Sequence, residues 1–314
     1  LGEAVKVCIV SGADANYFPL VLELIESIRS FEKSANVDIC IFDCGISDDQ
    51  KEVLSGKVQR VVSPGWPEGI NVKNSDNLEY LKSCVCRPFI PDIFPGYDVY
   101  LWMDSDTWVQ DWFAVEMFIK AAKKPAKLAI TNGADRCYQT RMRVKWLGYF
   151  PYKIASFYNT NAKLAFGRKV AKKMITQYVL SAACFAMRAD APHWKRWQEL
   201  VVQATDRGKV FTAEQVSLGR MVYVEGYGVE LLPAYAMWQC SIKPIWDEQR
   251  EAFVETFVPH EKIGILHLSG IDKYRASSSE KDVFETVDRN EIERSYRYPQ
   301  LDGGDLIVTS PDRK

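Results

Sequence analysis

The hydrophobic positions fall into short runs separated by amphipathic stretches. Val5 to Val10 (VKVCIV) is an apolar run that stops at Ser11-Gly12-Ala13-Asp14, the pattern of a buried strand entering a loop. Phe18, Val21, Leu22, Ile25 and Ile28 then recur at helical spacing, which predicts a helix with one face on a sheet. Val37 to Phe42 is a second strand ending at Asp43. Ser47 and Gln50 form a capping-box pattern ahead of another helix, and Val58 to Val62 is a third strand. Tyr97 to Met103 (YDVYLWM) ends at Asp104-Ser105-Asp106; a helix pattern covers 112–122, and Lys127 to Ile130 is a short strand. Val179 to Met187 is strand-like. Asp190 reads as the N-cap of a helix over 191–203 with Pro192 in its first turn, and Ile263 to Leu268 is the last clear strand. Strand–helix alternation of this kind predicts an α/β sheet, mostly parallel and flanked by helices.

Two stretches break the alternation. Residues 132–170 are rich in Lys, Arg, Tyr and Asn and read as excursion loops rather than sheet. The tail from about 300, with Asp302-Gly303-Gly304-Asp305, reads as loose or edge structure. No internal repeat or low-complexity linker divides the chain, so a single domain with insertions is expected.

Composition narrows the function. With 47% hydrophobic and 26% charged residues in 314, the chain is an ordinary globular one. Lys plus Arg is 40 and Asp plus Glu is 41, and so balanced a chain is a poor candidate for nucleic-acid backbone binding. No run of 18 apolar residues predicts a membrane-spanning helix. Cys8 and Cys40 sit in apolar runs, Cys84-x-Cys86 lacks zinc-type spacing, and there is no N-x-S/T sequon. The start, Leu1-Gly2-Glu3-Ala4, lacks the basic region of a signal peptide. These features lean towards a reducing, cytoplasmic compartment, with a secretory lumen left open.

Asp104-Ser105-Asp106 is the sharpest local signal. It stands at the carboxyl end of an apolar strand, where open α/β sheets bind ligands. Acids at i and i+2 point to one side if the strand continues and converge if the chain turns. A divalent cation would relieve their repulsion, and oxygen ligands suit Mg²⁺ or Mn²⁺. The chain has three histidines, of which His267 ends a strand and fits as an imidazole ligand, tilting the preference to Mn²⁺. His193 reads as an exposed first-turn residue, and His260, in a loop, is given no role. Beyond His267, Gly270 would let a backbone N–H approach a phosphate and Lys273 would add a mobile cation. Together these groups suit a diphosphate leaving group.

Four landmarks, taken together, resemble the GT-A glycosyltransferases of family 8, the group of glycogenin and bacterial galactosyl- and glucosyltransferases. Gly12-Ala13-Asp14-Ala15-Asn16-Tyr17 is similar to the family's A-D-x-N-Y loop. Arg87-Pro88-Phe89 with the strand to Asp104-Ser105-Asp106 is similar to its R-x…L-Y-L-D-x-D segment. Ala213 to Leu218 is similar to D-Q-x-x-L-N, and His267 to Lys273 to H-x-x-G-x-x-K.

The resemblance implies a Rossmann-like GT-A fold, with a catalytic domain over 1–275, an acceptor-side insertion at 132–170 and a C-terminal helix or tail over 276–314. It implies a metal-dependent retaining transfer of a hexose, from UDP-glucose or UDP-galactose, to a hydroxyl of a glycan, protein or lipid. Asp14, Asn16 and Tyr17, with Gly12 and Ala13, would contact the nucleoside. Arg87 would sit near the donor phosphates or sugar. Asp104, Asp106 and His267 would hold the metal beside Ser105. Gly270 and Lys273 would bind the diphosphate, and Glu214 and Gln215 would flank the donor sugar, Glu214 as a candidate nucleophile under C1. The chain departs from the family at Leu180-Ser181-Ala182-Ala183, where an Asn-x-Gly is usual, and at Tyr274-Arg275, where Pro-Trp is usual.

Other readings stay beside this one. Thr212 as a helix cap would make Glu214 and Gln215 a solvated helical pair. A non-catalytic sugar-nucleotide binder of the same fold is the main alternative. A pyrophosphorylase lacks its Gly-rich nucleotidyl loop here, and a dinucleotide dehydrogenase lacks its G-x-G-x-x-G. The cations Arg141, Arg143, Lys145, Lys153, Lys163 and Arg168 read first as a solvated face; interleaved with Tyr138, Trp146, Tyr149, Phe150, Tyr152 and Tyr158, they also read as an acceptor face or a peripheral membrane contact.

Overall fold

Side chains along the central strands alternate between two buried faces, and that alternation builds the domain. The structure is a computed structural model that describes residues 5–72, 79–138 and 143–298. Its first half contains β1 (Val7–Ala13), α1 (Phe18–Arg29), β2 (Val37–Asp43), α2 (Asp48–Ser55), β3 (Arg60–Val62), the single turns α3 (Lys82–Val85) and α4 (Ile90–Ile93), β4 (Val99–Met103), β5 (Thr107–Val109), α5 (Trp112–Ala122) and β6 (Leu128–Asn132). Then come β7 (Arg143–Leu147), β8 (Phe150–Ala155), α6 (Phe157–Phe166), α7 (Arg168–Met174), β9 (Leu180–Arg188), α8 (His193–Thr205), α9 (Val210–Tyr223), β10 (Val229–Leu232), β11 (Trp238–Gln239), β12 (Ile245–Asp247), β13 (Ala252–Val254), β14 (Ile265–His267), α10 (Asp272–Ala276), β15 (Asp282–Glu285) and β16 (Glu291–Arg294).

Seven strands form one sheet in the order β10-β6-β9-β4-β1-β2-β3. Only β9 runs against its neighbours, β4 and β6. Cys8, Val10, Tyr100, Trp102 and Phe185 pack on one face with α8 and α9, while Ile9, Leu101, Met103 and Ala186 pack on the other with α1 and α5. The mixed, mostly parallel sheet flanked by helices is the expected architecture.

The helix predicted from Phe18 to Ile28 forms as α1, and the capping box at Ser47 and Gln50 closes the N-terminus of α2. Several other expectations need correction. β1 extends through Ser11–Ala13, because those residues pair with Ile41–Asp43. Asp190 caps nothing; both its carboxylate oxygens take Arg188, and α8 starts at His193 after Pro192. His193 is buried, not exposed: its Nε2 sits 2.8 Å from Gly228 O and its ring packs edge-on against Tyr227. Burial holds its imidazole below the ordinary value of 6.5.

The stretch 132–170 is not loop. It contains the end of β6, the β7–β8 hairpin and two helices, whose Tyr158 and Ala162 are core. Tyr158 therefore cannot belong to an exposed aromatic face, and Tyr138 accepts the Gln239 N–H at 3.1 Å while packing on Trp238. Arg141 lies outside the described residues.

Residues 277–298 are a β-hairpin and a buried strap rather than a helix. The strap locks by charge: Arg297 Nε and Nη2 lie 2.6 and 2.5 Å from the two oxygens of Glu23 on α1, and both side chains are buried. The remaining donor of that guanidinium, Nη1, reaches Arg275 O at 2.8 Å. The Asp302–Asp305 tail falls outside the described residues.

Candidate active site

The carboxyl ends of β1 and β4 meet at one edge of the sheet, and there a cleft of about 680 Å³ opens. Gly12, Ala13, Asp14, Asn16 and Tyr17 line it from β1 and the turn into α1. Gly12 is needed for close packing, since a Cβ there would meet Phe42 Cβ at 3.1 Å. Asp14 Oδ1 accepts the Tyr17 N–H at 2.9 Å, so this aspartate also shapes the turn that starts α1.

The chain turns sharply after β4. Thr107 N–H and its hydroxyl both reach Asp104 O, at 3.0 and 2.7 Å, which folds Asp106 back beside Asp104. β5 then pairs antiparallel with β14 in a small three-stranded sheet, where His267 is opposite Thr107. That register sets the imidazole against the carboxylates: His267 Nε2 lies 3.4 Å from Asp106 Oδ1 and 4.0 Å from Asp104 Oδ2.

The outer carboxylate oxygens are already held. Asp104 Oδ1 accepts from Arg87 Nη2 and Trp102 Nε1, each at 2.7 Å, and Asp106 Oδ2 pairs with Arg275 Nη1 at 2.9 Å. Two anionic oxygens and one imidazole nitrogen are thus left converging, mutually within 4.8 Å. A hard-to-borderline divalent cation suits this donor set, and the nitrogen favours Mn²⁺ over Mg²⁺. The residues present fit such an ion. Burial works to raise the Asp106 carboxyl, but His267 and Arg275 outweigh it and hold the group well below the usual range. Burial raises Asp104, with Arg87 opposing and Asp106 adding to the rise.

Glu214 on α9 is buried across the cleft. Arg87, stacked over Trp102 at 4.6 Å, places Nη1 3.0 Å from Ala182 O and 3.4 Å from Glu214 Oε1. Glu214 Oε2 is buried with no hydrogen-bond partner among the described residues. Burial pushes this carboxyl up to about 7, with Arg87 opposing and Asp104 contributing. Gln215, beside it in the wall, donates from Nε2 to Leu180 O at 2.9 Å. Thr212 is not the cap of this helix: α9 begins at Val210 after Lys209, and Thr212 lies in its first turn.

Most of the sequence-derived candidates therefore share one cleft: Gly12 to Asp14, Asn16, Tyr17, Arg87, Asp104 to Asp106, Glu214, Gln215, His267 and Gly270 all line it. Gly270 has φ +74°, a conformation that side chains resist. Lys273 stands apart: its side chain is 67% exposed and its Nζ pairs with Glu280 at 2.7 Å. Arg275, two residues on, is the cation that enters the cleft wall. A turn of helix separates Asp272 from Arg275, and the two side chains pair. Helical periodicity through 272–276 would have exposed that difference; motif spacing alone did not. Tyr80 and Phe211, exposed aromatics on the rim, were also not singled out by sequence.

Residues 8–144 match the family model described as Glycosyl transferase family 8. These residues, under half of the chain, carry a family 8 glycosyltransferase signature. The family 8 resemblance is thereby borne out, and two of its four landmarks, Gly12–Tyr17 and Arg87–Asp106, lie inside the matched residues. Among solved structures, the galactosyltransferase LgtC in complex with donor and acceptor sugar analogs is similar at 14% identity, with a TM-score of 0.51, over 84% of this chain and 87% of that one. The apo bifunctional glycosyltransferase WbbM is similar at 16% identity and a TM-score of 0.50, over 86% of this chain and 47% of that one. No curated protein sequence matches the chain. The partial family match on a GT-A fold supports glycosyl transfer.

Proposed function

We propose that the protein is a metal-dependent, retaining glycosyltransferase that moves a hexose from a UDP-sugar, UDP-glucose or UDP-galactose, to an acceptor hydroxyl. The observation that carries this reading is the inner triad: Asp104 Oδ2, Asp106 Oδ1 and His267 Nε2 converge while their surroundings hold the outer oxygens. A divalent ion there, Mn²⁺ by preference, would supply Lewis-acid stabilisation to a diphosphate leaving group.

The chain's own groups do the rest. The wall from Gly12 to Tyr17 receives the nucleoside. Gly270 and Arg275 line the same cleft as the triad, and a backbone N–H and a guanidinium there would stabilise the charge that grows on the leaving group. As the C1–O bond breaks, its electron pair leaves with the diphosphate and the sugar becomes oxocarbenium-like. The acceptor oxygen then bonds to C1 on the same face, and its proton passes to the departing phosphate oxygen. Glu214 is the carboxylate in the wall that can meet positive charge at C1. Tyr80 and Phe211 on the rim offer aromatic faces for a sugar acceptor.

The test is a panel of UDP-sugars with Mn²⁺, without acceptor, with released UDP as the readout. One donor releasing UDP, abolished by EDTA and by Asp106→Ala, is expected. Metal-independent release or a product of inverted configuration would overturn the reading. A sugar adduct on Glu214, sought by mass spectrometry after donor incubation, would make that residue a nucleophile; its absence would leave it an electrostatic partner.

A further inference from the structure

The hairpin β7–β8 carries an uncharged, largely apolar tip on a basic stem. Seven of the seventeen exposed large hydrophobic side chains among the described residues fall within 143–155. Leu147 is 73%, Tyr149 96% and Phe150 78% exposed, values that leave the tip without cover from the rest of the fold. From Trp146 to Tyr152 no residue is charged, and Gly148, at φ +60°, makes the two-residue turn. Below the tip Lys145 and Lys153 face each other across the ladder, and Arg143 follows. A two-stranded ribbon with both faces in water is marginal by itself, and an apolar patch of this kind marks a binding surface.

Charge identifies the partner. Between Asp135 and Asp190 the sequence has eleven Lys and Arg and no Asp or Glu, leaving 29 Lys and Arg against 41 Asp and Glu elsewhere. On α6 and α7 this continues as exposed Lys163, Arg168, Lys169, Lys172 and Lys173. A second copy of the same face would oppose cations with cations and bring no acid to neutralise them. An anionic surface would not.

We propose that the hairpin docks the protein on an anionic lipid bilayer, with Trp146, Leu147, Tyr149 and Phe150 entering the headgroup–acyl boundary and Arg143, Lys145 and Lys153 on the lipid phosphates. Tip and stem are matched to that medium. The four residues from the Lys145 level to the turn span about 10 Å, the depth an interfacial element reaches. Trp and Tyr suit the wet side of that boundary, and each cation near the surface adds to the attraction. The segment leaves the sheet after Asn132 and returns at Leu180, the edge where β4 ends at Met103 and the cleft opens. The proposal is independent of the donor chemistry.

It is tested on the whole chain, without donor or metal, by cosedimentation with phosphatidylcholine vesicles with and without phosphatidylglycerol. Binding only to the anionic vesicles, weakened by added salt, is expected. Trp146→Ser with Phe150→Ser, and separately Lys145→Gln with Lys153→Gln, should each weaken it about tenfold or more, while circular dichroism stays unchanged because all four side chains are exposed. No binding to anionic vesicles, binding that ignores the tip variant, or a dimer in sedimentation equilibrium that the tip variant dissolves would each overturn the proposal.

Discussion

Arg275 and Asp106 are 169 residues apart in the chain and 2.9 Å apart in the cleft wall. The contact has two effects. It turns Asp106 Oδ1 towards His267, and it stations a guanidinium beside the triad.

Arg275→Ala should raise the KM for a UDP-sugar, or the Kd for UDP, by roughly tenfold to a hundredfold, the scale of one charge-assisted hydrogen bond. Lys273→Ala should change either by less than about twofold, because its ammonium is exposed and engaged with Glu280. Calorimetric titration of UDP in Mn²⁺ checks both. Equal losses in the two variants would return the phosphate role to Lys273.

Asp104→Asn and Asp106→Asn each remove one anionic donor from the inner triad while keeping the shape of the side chain. Each should weaken Mn²⁺ binding on the order of a hundredfold or more, read directly from the free-ion signal in electron paramagnetic resonance. Thermal unfolding in EDTA reports separately the cost of weakening the pairs with Arg87 and Arg275, and the Mn²⁺ titration is run well below each variant's unfolding temperature.

Glu214 gives a pH signature. Its folded carboxyl lies near 7 against an ordinary 4.5, chiefly through burial, so the folded state holds the proton more tightly than the unfolded chain does. The stability this contributes is fully present below 4.5 and is lost as pH rises through about 7. In EDTA, Glu214→Gln should therefore gain thermal stability relative to wild type on going from about pH 5 to about pH 8. A difference between the two proteins that stays constant across that range would show the carboxyl to be ordinary.

The buried pair of Glu23 and Arg297 predicts an asymmetric cycle. Arg297→Ala strands a buried carboxylate and should cost about 3–5 kcal/mol in urea unfolding. Glu23→Leu combined with Arg297→Met should cost much less, since two well-packed apolar groups can replace a buried ion pair.

The sheet was legible because its strands are apolar runs bounded by polar turns, and the triad because Asp104, Asp106 and His267 each stand at a strand end. What joined them was not: the match of His267 with Thr107 is a register, set by which strands pair, and no local pattern states it. His193 misled for a similar reason. A polar residue at a helix start looks solvated until the loop at Gly228 is folded over it. The 132–170 stretch read as loop because the alternations Arg143-Val144-Lys145-Trp146 and Tyr152-Lys153-Ile154 are only three or four residues long, stand outside the main sheet with both faces exposed, and precede short helices. Lys273 was favoured by motif spacing, whereas a single helical turn decides which cation faces inward.

Arg297 touches two places at once, Glu23 on the helix that follows the Gly12–Tyr17 turn and the backbone of Arg275, whose guanidinium lies over Tyr17 of that turn. The far end of the described chain thereby braces the backbone of the residue whose guanidinium pairs with Asp106. A protease nick just upstream of Arg297 would leave every lining residue in the sequence and still loosen the anchorage of Arg275.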